Sequence, residues 1–374
     1  MYRVLFVVFL LVSLVPVGGR AAQPASERAS VMFLFDENVS EADEYLIRES
    51  IRFAQDYFID AFGTDVSRSI VVNVKSDPNE SVNYARDYQI HLNSLTFLGY
   101  PPLIRTSFIV HEYFHLWQED ASGRQFATPS QVHPFGPQWL IEGSAEYIGS
   151  QSLTSTGIVS FEEIRERTIQ MANGAHSYGP PTLPAIRSLA THHDMIEPNA
   201  ACCAYSLSAI AIEFLADVEG PRAIGEYFQT LGETGKPWQS VFKDTFGMSV
   251  DDFYSSFEEQ RPSLLSSGTG LDVTQLLRTP SYNEVPADFS LSLAPESIES
   301  GKQAVFYGWS ENGSTCDMTV GIAASDNSTT YSTFGDAYGL VVWFWSVPET
   351  LDAESLAFDF GCGAAPISIE IDVE

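Results

Sequence analysis

The chain has 374 residues and a formal charge of −30, with 19 Lys and Arg against 49 Asp and Glu. A field of that sign repels nucleic acid and anionic membrane surfaces, which removes both as partners. It leaves a solvated acidic surface, or the steering of cationic substrates, as its use. At 44% hydrophobic and 13% aromatic residues the chain has material for packed cores, and its length allows two domains.

Residues 1–21 read as a secretory signal peptide. Arg3 is followed by an apolar run from Val4 to Val17, broken only by Ser13 and Pro16, and Gly19 and Ala21 are the small residues before a cut ahead of Ala22. The run is shorter than the ~20 apolar residues a spanning helix needs, and no later segment is apolar enough to span a membrane. The expected product is secreted or periplasmic. Export permits disulfides. Cys316 and Cys362 are candidates for one, whereas the neighbours Cys202 and Cys203 are two thiols, a strained bridge or partners of other cysteines. Asn38, Asn79, Asn312 and Asn327 each open an N-x-[ST] sequon.

In chain order, Ser30–Phe35 reads as a strand. Ser40 is a good N-cap, with Asp43 and Glu44 in the following turn, and apolar residues recur at helical spacing from Tyr45 to Phe62 before Gly63. Ser69–Val74 is a second strand and Asp87–Leu92 a third, placed at a sheet edge. Helices are expected over 101–119 and 139–151, joined by a Gly- and Pro-rich loop at 120–137, and over 161–171. Residues 174–203 read as one long irregular stretch, a lid or cleft wall. Helices then cover 205–218, 221–231, 238–246 and 250–260.

After Arg261-Pro262-Ser263 the pattern turns to short alternating runs at 289–293, 304–309, 318–322, 339–345 and 367–373. The expected organisation is a mixed α+β domain at 22–262, a linker at 263–270, and a small all-β, sandwich-like domain at 271–374 that positions the first domain or is purely structural.

His111-Glu112-Tyr113-Phe114-His115 is an H-E-x-x-H. On a helix the two histidines sit one above the other and offer two imidazoles to one zinc ion, and Glu112 is a carboxylate placed to take a proton from water on the metal. A catalytic zinc takes three protein ligands and keeps one position open. Glu142, in the segment Trp139-Leu140-Ile141-Glu142-Gly143-Ser144-Ala145-Glu146-Tyr147, supplies the third from a second helix. Glu146 lies one turn further on the same face, as a partner for the outer nitrogen of a histidine or as a solvated charge. His133 is a loop histidine, more often exposed than in contact with substrate. Tyr147 reads as packing.

The two segments together resemble the peptidase MA-like gluzincins, whose pattern is H-E-x-x-H, a loop, then P-x-W-L-x-E-G-x-A-E-Y. Pro137-Gln138-Trp139 matches the start of the second element, Leu183-Pro184-Ala185-Ile186 a later proline-leucine stretch, and Phe242–Phe253 an F-x-x-x-F-G-M-S-x-x-x-F ending. The resemblance covers residues 85–260. It implies a zincin-like fold with His111, His115 and Glu142 on Zn2+ and Glu112 as general base. It implies Tyr205 as an oxyanion donor, with a peptide or protein as substrate. The E-G-x-A element is shared with aminopeptidase-N-like gluzincins, but the gap from His115 to Glu142 is longer here and no G-x-M-E-N precedes it. The expectation is an exported zinc metallopeptidase. The competing expectation is a catalytically silent zincin scaffold whose β module docks protein or glycan.

Overall fold

The computed structural model describes residues 28–266 and 290–373, apart from 38, 77–82, 99, 101, 156–158, 174–183, 197–202, 295–296, 299, 301–302, 310–314, 323–327, 335–339, 349–352 and 363–365. Residues 1–21 (read as a signal peptide), linker residues 267–270, the four sequon asparagines and Cys202 lie outside the described residues.

Strand β1 (Val31–Phe35) leads into helix α1 (Glu41–Phe62). Local chemistry sets both ends of α1. Ser40 Oγ accepts the Asp43 N–H at 3.1 Å, and Glu41, Asp43 and Glu44 complement the helix dipole. Gly63 stops the helix at φ 79°, a left-handed conformation that costs glycine nothing.

Strands β2 (Ile70–Lys75), β3 (Tyr84–Arg86) and β4 (Gln89–Asn93) complete a sheet of order β1-β2-β4-β3. Its first three members are parallel, and β3 runs antiparallel to β4. The strand expected at an edge is therefore interior. The edge is β3, joined to β4 through Asp87 and Tyr88, which both adopt positive φ (51° and 61°) as a two-residue hairpin turn demands. β3 is too short for alternation to show.

Helices α2 (Ser94–Phe97), α3 (Pro102–Ser122), α4 (Gln138–Thr154) and α5 (Phe161–Ala172) follow. The stretch read as irregular holds a 3-10 turn at Ile186–Ser188 and helix α6 (His192–Ile196). Helices α7 (Ala204–Glu219), α8 (Arg222–Thr234), α9 (Trp238–Phe246) and α10 (Val250–Ser266) close this part. α10 runs through Pro262 into residues read as linker, because Leu264 and Leu265 pack on the core and offset the lost backbone bond.

α3 is the central helix. Ile109, Val110, Tyr113, Phe114, Leu116 and Trp117 are all buried, so it is apolar on nearly every side except where its polar residues face inward. Its rings stack on α1, with Phe58 to Phe114 at 5.6 Å and Phe62 to Trp117 at 4.7 Å, and meet Phe228 of α8 at 5.8 Å. α4 packs on α3 and α7 through small residues. A Cβ at Gly143 would stand 2.5 Å from the Ser208 carbonyl oxygen of α7, and one at Gly149 would stand 2.8 Å from that of Ser107 of α3.

The C-terminal part is a β-sandwich, as expected. Its strands are β5 (Ser290–Leu293), β6 (Ser297–Ile298), β7 (Gln303–Trp309), β8 (Thr315–Ile322), β9 (Ser328–Phe334), β10 (Leu340–Ser346), β11 (Ser355–Gly361) and β12 (Ile367–Val373). They form sheets β10-β7-β5 and β6-β12-β11-β8-β9. Phe306, Trp343 and Trp345 of the first sheet meet Phe358 and Phe360 of the second in a core that, among the described residues, shares none with the helical one. Cys316 and Cys362 are bonded to each other, and Cys203 is also in a disulfide. Among the described residues, no helix is long and apolar enough to cross a membrane.

Candidate metal centre

α3 and α4 bring His111, His115 and Glu142 together, all buried. The Nε2 atoms of the two histidines are 3.1 Å apart. Glu142 Oε2 lies 3.2 Å from His115 Nε2 and 3.3 Å from His111 Nε2. The hydrogen-bonding partners decide where the protons are. Gln118 Nε2 donates to the Ile141 carbonyl at 3.1 Å, so its Oε1 is the acceptor for His115 Nδ1 at 2.9 Å. His115 thus carries its proton on Nδ1. His111 Nδ1 faces Glu146 Oε2 at 3.4 Å, an ion-pair distance with poor hydrogen-bond alignment, and its proton belongs on that side as well.

Two bare imidazole nitrogens and a carboxylate oxygen then point at one spot with no hydrogen between them. In the metal-free protein a proton must relieve this. Burial opposes charging His111, but Glu142 and Glu146 outweigh it and raise the pKa well above the ordinary value. Glu142 is held well below the usual carboxylate range, because His115 and His111 outweigh its burial. A cation relieves the same conflict. Four-coordinate zinc with N and O donors at about 2.0–2.1 Å sets donor-to-donor distances of about 3.3–3.4 Å, close to those seen. The donor set and its spacing fit a divalent metal.

Glu112 is buried beside the cluster, and its Oε2 has no hydrogen-bond partner. Burial raises its pKa, and His111 and His115 pull it back in part, as does the backbone N–H of Ala85 on the edge strand β3. Tyr205 opens α7 and is half-buried. Glu142 is the largest cause raising its pKa well above the phenol value, followed by burial and the charges of Glu112 and Glu146, so the hydroxyl stays protonated among these carboxylates. Glu146 is held low, because His111 and Arg167 of α5 outweigh its burial. α4 lacks a side-chain cap, since Pro137 precedes it. The carbonyls of Ala190 and Leu189 instead take the N–H groups of Gln138 (2.9 Å) and Trp139 (3.0 Å).

His133 differs from its expectation. It is buried, accepts the Ala127 N–H on Nδ1 at 2.7 Å and bonds Gln138 Oε1 through Nε2 at 2.6 Å, and Gln138 Nε2 donates to Glu142 Oε1 at 2.6 Å. The fold drives it inward by packing its ring between Phe126 and Phe135. Gln118, His133 and Gln138 are absent from the motif. Helical arithmetic alone places Gln118 one turn after His115 and Gln138 one turn before Glu142. Of the other loop histidines, His192 and His193 sit on α6, where the His193 N–H bonds the Pro129 carbonyl at 3.1 Å. Tyr147 is buried packing. A cavity of about 660 Å³ lined by Asp65, Trp117, Asp120 and Glu226 shares no residue with the cluster, and Asp65 and Asp120 are spent on bonds to Tyr113, Val66, Ser67 and Tyr88.

No protein-family model matches the chain, and no curated protein does. Among solved structures it is similar to an aminopeptidase N family protein from Idiomarina loihiensis, at 11% identity and a TM-score of 0.42 over 93% of this chain and 65% of that one. It is also similar to the catalytic module of the metalloprotease ZmpA from Clostridium perfringens (10% identity, TM-score 0.29, 89% of this chain and 62% of that one). A further similarity is to the M60 catalytic domain of ZmpC from the same organism, in complex with the sialyl T antigen (10% identity, TM-score 0.25, 89% and 63%). The chain thus spans less than two-thirds of the length of each. Function rests on the chemistry of the site.

Proposed function

We propose that the chain is an exported, gluzincin-type zinc metallopeptidase that hydrolyses peptide bonds. The observation that carries this reading is the convergence of His111 Nε2, His115 Nε2 and Glu142 Oε2 within 3.1–3.3 Å, with Glu112 and its unpartnered oxygen alongside. His111, His115 and Glu142 would hold the ion, which when bound supplies Lewis-acid polarisation of the scissile carbonyl and of the attacking water.

The chain's own residues do the rest. Glu112 accepts the proton of the attacking water and returns it to the departing amine nitrogen. Its burial-raised pKa moves it toward the working pH, where a base is most effective. Tyr205, kept protonated, donates its hydroxyl hydrogen to the oxygen that becomes negative as the carbonyl is attacked. Glu146 faces the outer nitrogen of His111 at 3.4 Å, and its charge favours a proton there and steadies the ring. The short edge strand β3 lies beside Glu112, where an extended peptide can be laid along it. The Cys316–Cys362 disulfide supports an oxidising, extracytoplasmic setting.

The test pairs metal analysis with digestion of a broad peptide library, with and without chelator. The wild-type chain is expected to hold one zinc and to cleave. Glu112→Gln should keep the zinc and lose about 10²–10⁴-fold in turnover. Unchanged turnover in that variant would refute the mechanism. Stoichiometric zinc without any cleavage by the wild type would favour a binding protein built on the same scaffold.

A further inference from the structure

Glu142 has two oxygens, and Oε2 is the one that faces the imidazoles. Oε1 is already taken by Gln138 Nε2 at 2.6 Å. The direction of that bond is fixed from outside the site. The Ala127 N–H donates to His133 Nδ1 at 2.7 Å, which places the His133 proton on Nε2. That N–H donates to Gln138 Oε1 at 2.6 Å. An amide whose oxygen is engaged in this way presents its NH2 to Glu142. His133, Gln138 and Glu142 are all buried. One backbone N–H thus sets the orientation of three consecutive side chains.

A carboxylate binds a metal through one oxygen or two, and a catalytic site needs a coordination position left over for water and substrate. We propose that the chain Ala127–His133–Gln138–Glu142 is a positioning device that limits Glu142 to a single metal contact, through Oε2, and so keeps the remaining position free. This inference rests on reading His111, His115 and Glu142 as metal ligands. Swinging Oε1 onto the metal would strand the Gln138 N–H in a buried setting, which is what holds the carboxylate to one contact. His133 and Gln138 are positioning residues, since they act through Glu142.

A purely structural role would instead tie the 123–137 loop to α4 and leave the metal geometry alone. Cobalt separates the two roles, because four-coordinate Co2+ absorbs visible light several times more strongly than five-coordinate Co2+. The full chain is loaded with Co2+ as wild type, Gln138→Leu, His133→Leu and His133→Gln. The wild type should show the intense spectrum. Gln138→Leu should bind one equivalent with affinity within about tenfold of wild type and lose most of that intensity. His133→Leu should shift the same way. His133→Gln, which retains both a donor and an acceptor, should restore the spectrum. Identical spectra across the set, or weakened binding with an unchanged spectrum, would overturn the inference and leave the metal centre standing. A wild-type chain that takes up no cobalt overturns the metal centre itself, and this inference with it.

Discussion

Gly143→Ala is the substitution whose outcome the packing dictates most directly. The added Cβ would stand 2.5 Å from the Ser208 carbonyl oxygen, 2.7 Å from its carbon and 2.9 Å from the Ser208 Cβ. Ordinary contact begins near 3.4 Å, so α4 and α7 must separate by about 0.9 Å. Two of the three atoms met belong to helix backbone, which cannot rotate away. Overpacking of this kind costs ~1–3 kcal/mol, and the upper end applies here. At roughly 2–4 °C per kcal/mol for a unit of this size, the melting temperature should fall by about 6–12 °C. The separation also moves Glu142, the preceding residue, away from Tyr205 at the start of α7, and under the proposed mechanism a shift of ~1 Å between them should cost ~10²-fold in rate. Calorimetry of the chelator-treated variant measures the first effect, and zinc titration followed by a turnover assay on the peptide library measures the second. A melting temperature within about 1 °C of wild type with unchanged zinc affinity would refute the claim that this glycine sets the α4–α7 distance.

Two further outcomes follow from features outside the ligand set. The Cys316–Cys362 bridge closes a loop of 46 residues, for which the chain-entropy relation gives about 4 kcal/mol. Cys316→Ser combined with Cys362→Ser should therefore lower the unfolding transition of the sandwich and spare that of the helical core, and a joint fall of both would contradict their separate cores. The pKa of His133 is lowered chiefly by burial. A histidine depressed in this way contributes stability that is full above its unfolded pKa of about 6.5 and is lost as pH falls through the folded value. The chelator-treated wild type should thus lose melting temperature between pH 7 and pH 5 more steeply than His133→Gln, and parallel profiles would count against a neutral His133.

Where local chemistry decides, the sequence is readable. Ser40 and Gly63 fix both ends of α1, and the H-E-x-x-H spacing places two imidazoles on one turn of α3. Where partners are distant in the chain, it is not. β4 reads as an edge because nothing local announces β3, and the hairpin turn is built from Asp87 and Tyr88 rather than from glycine or asparagine. β9 (STTYSTF) has no apolar alternation, because the described side chains from Ser328 to Ser332 are exposed. β11 does alternate, with Leu356, Phe358 and Phe360 buried, although no strand is expected there from the sequence. The candidate metal donors are legible as a motif, but the groups hydrogen-bonded to them are not. Gln118 and Gln138 are ordinary helix residues by sequence, and His133 acquires its role only when Phe126 and Phe135 enclose it.

On the proposed reading, the spacing of the three donors would also govern how an ion leaves. His111 and His115 are four residues apart on one rigid helix, whereas Glu142 lies 27 residues beyond His115 and arrives only when α4 docks. Bringing ends together across 27 residues rather than four costs about 1.7 kcal/mol more in chain entropy. Were His111, His115 and Glu142 to hold an ion, partial opening of the molecule would therefore free the carboxylate first and leave the two imidazoles as the remaining donors. Exchange of one metal for another should pass through that two-histidine species, at a rate set by the undocking of α4 rather than by the imidazole bonds.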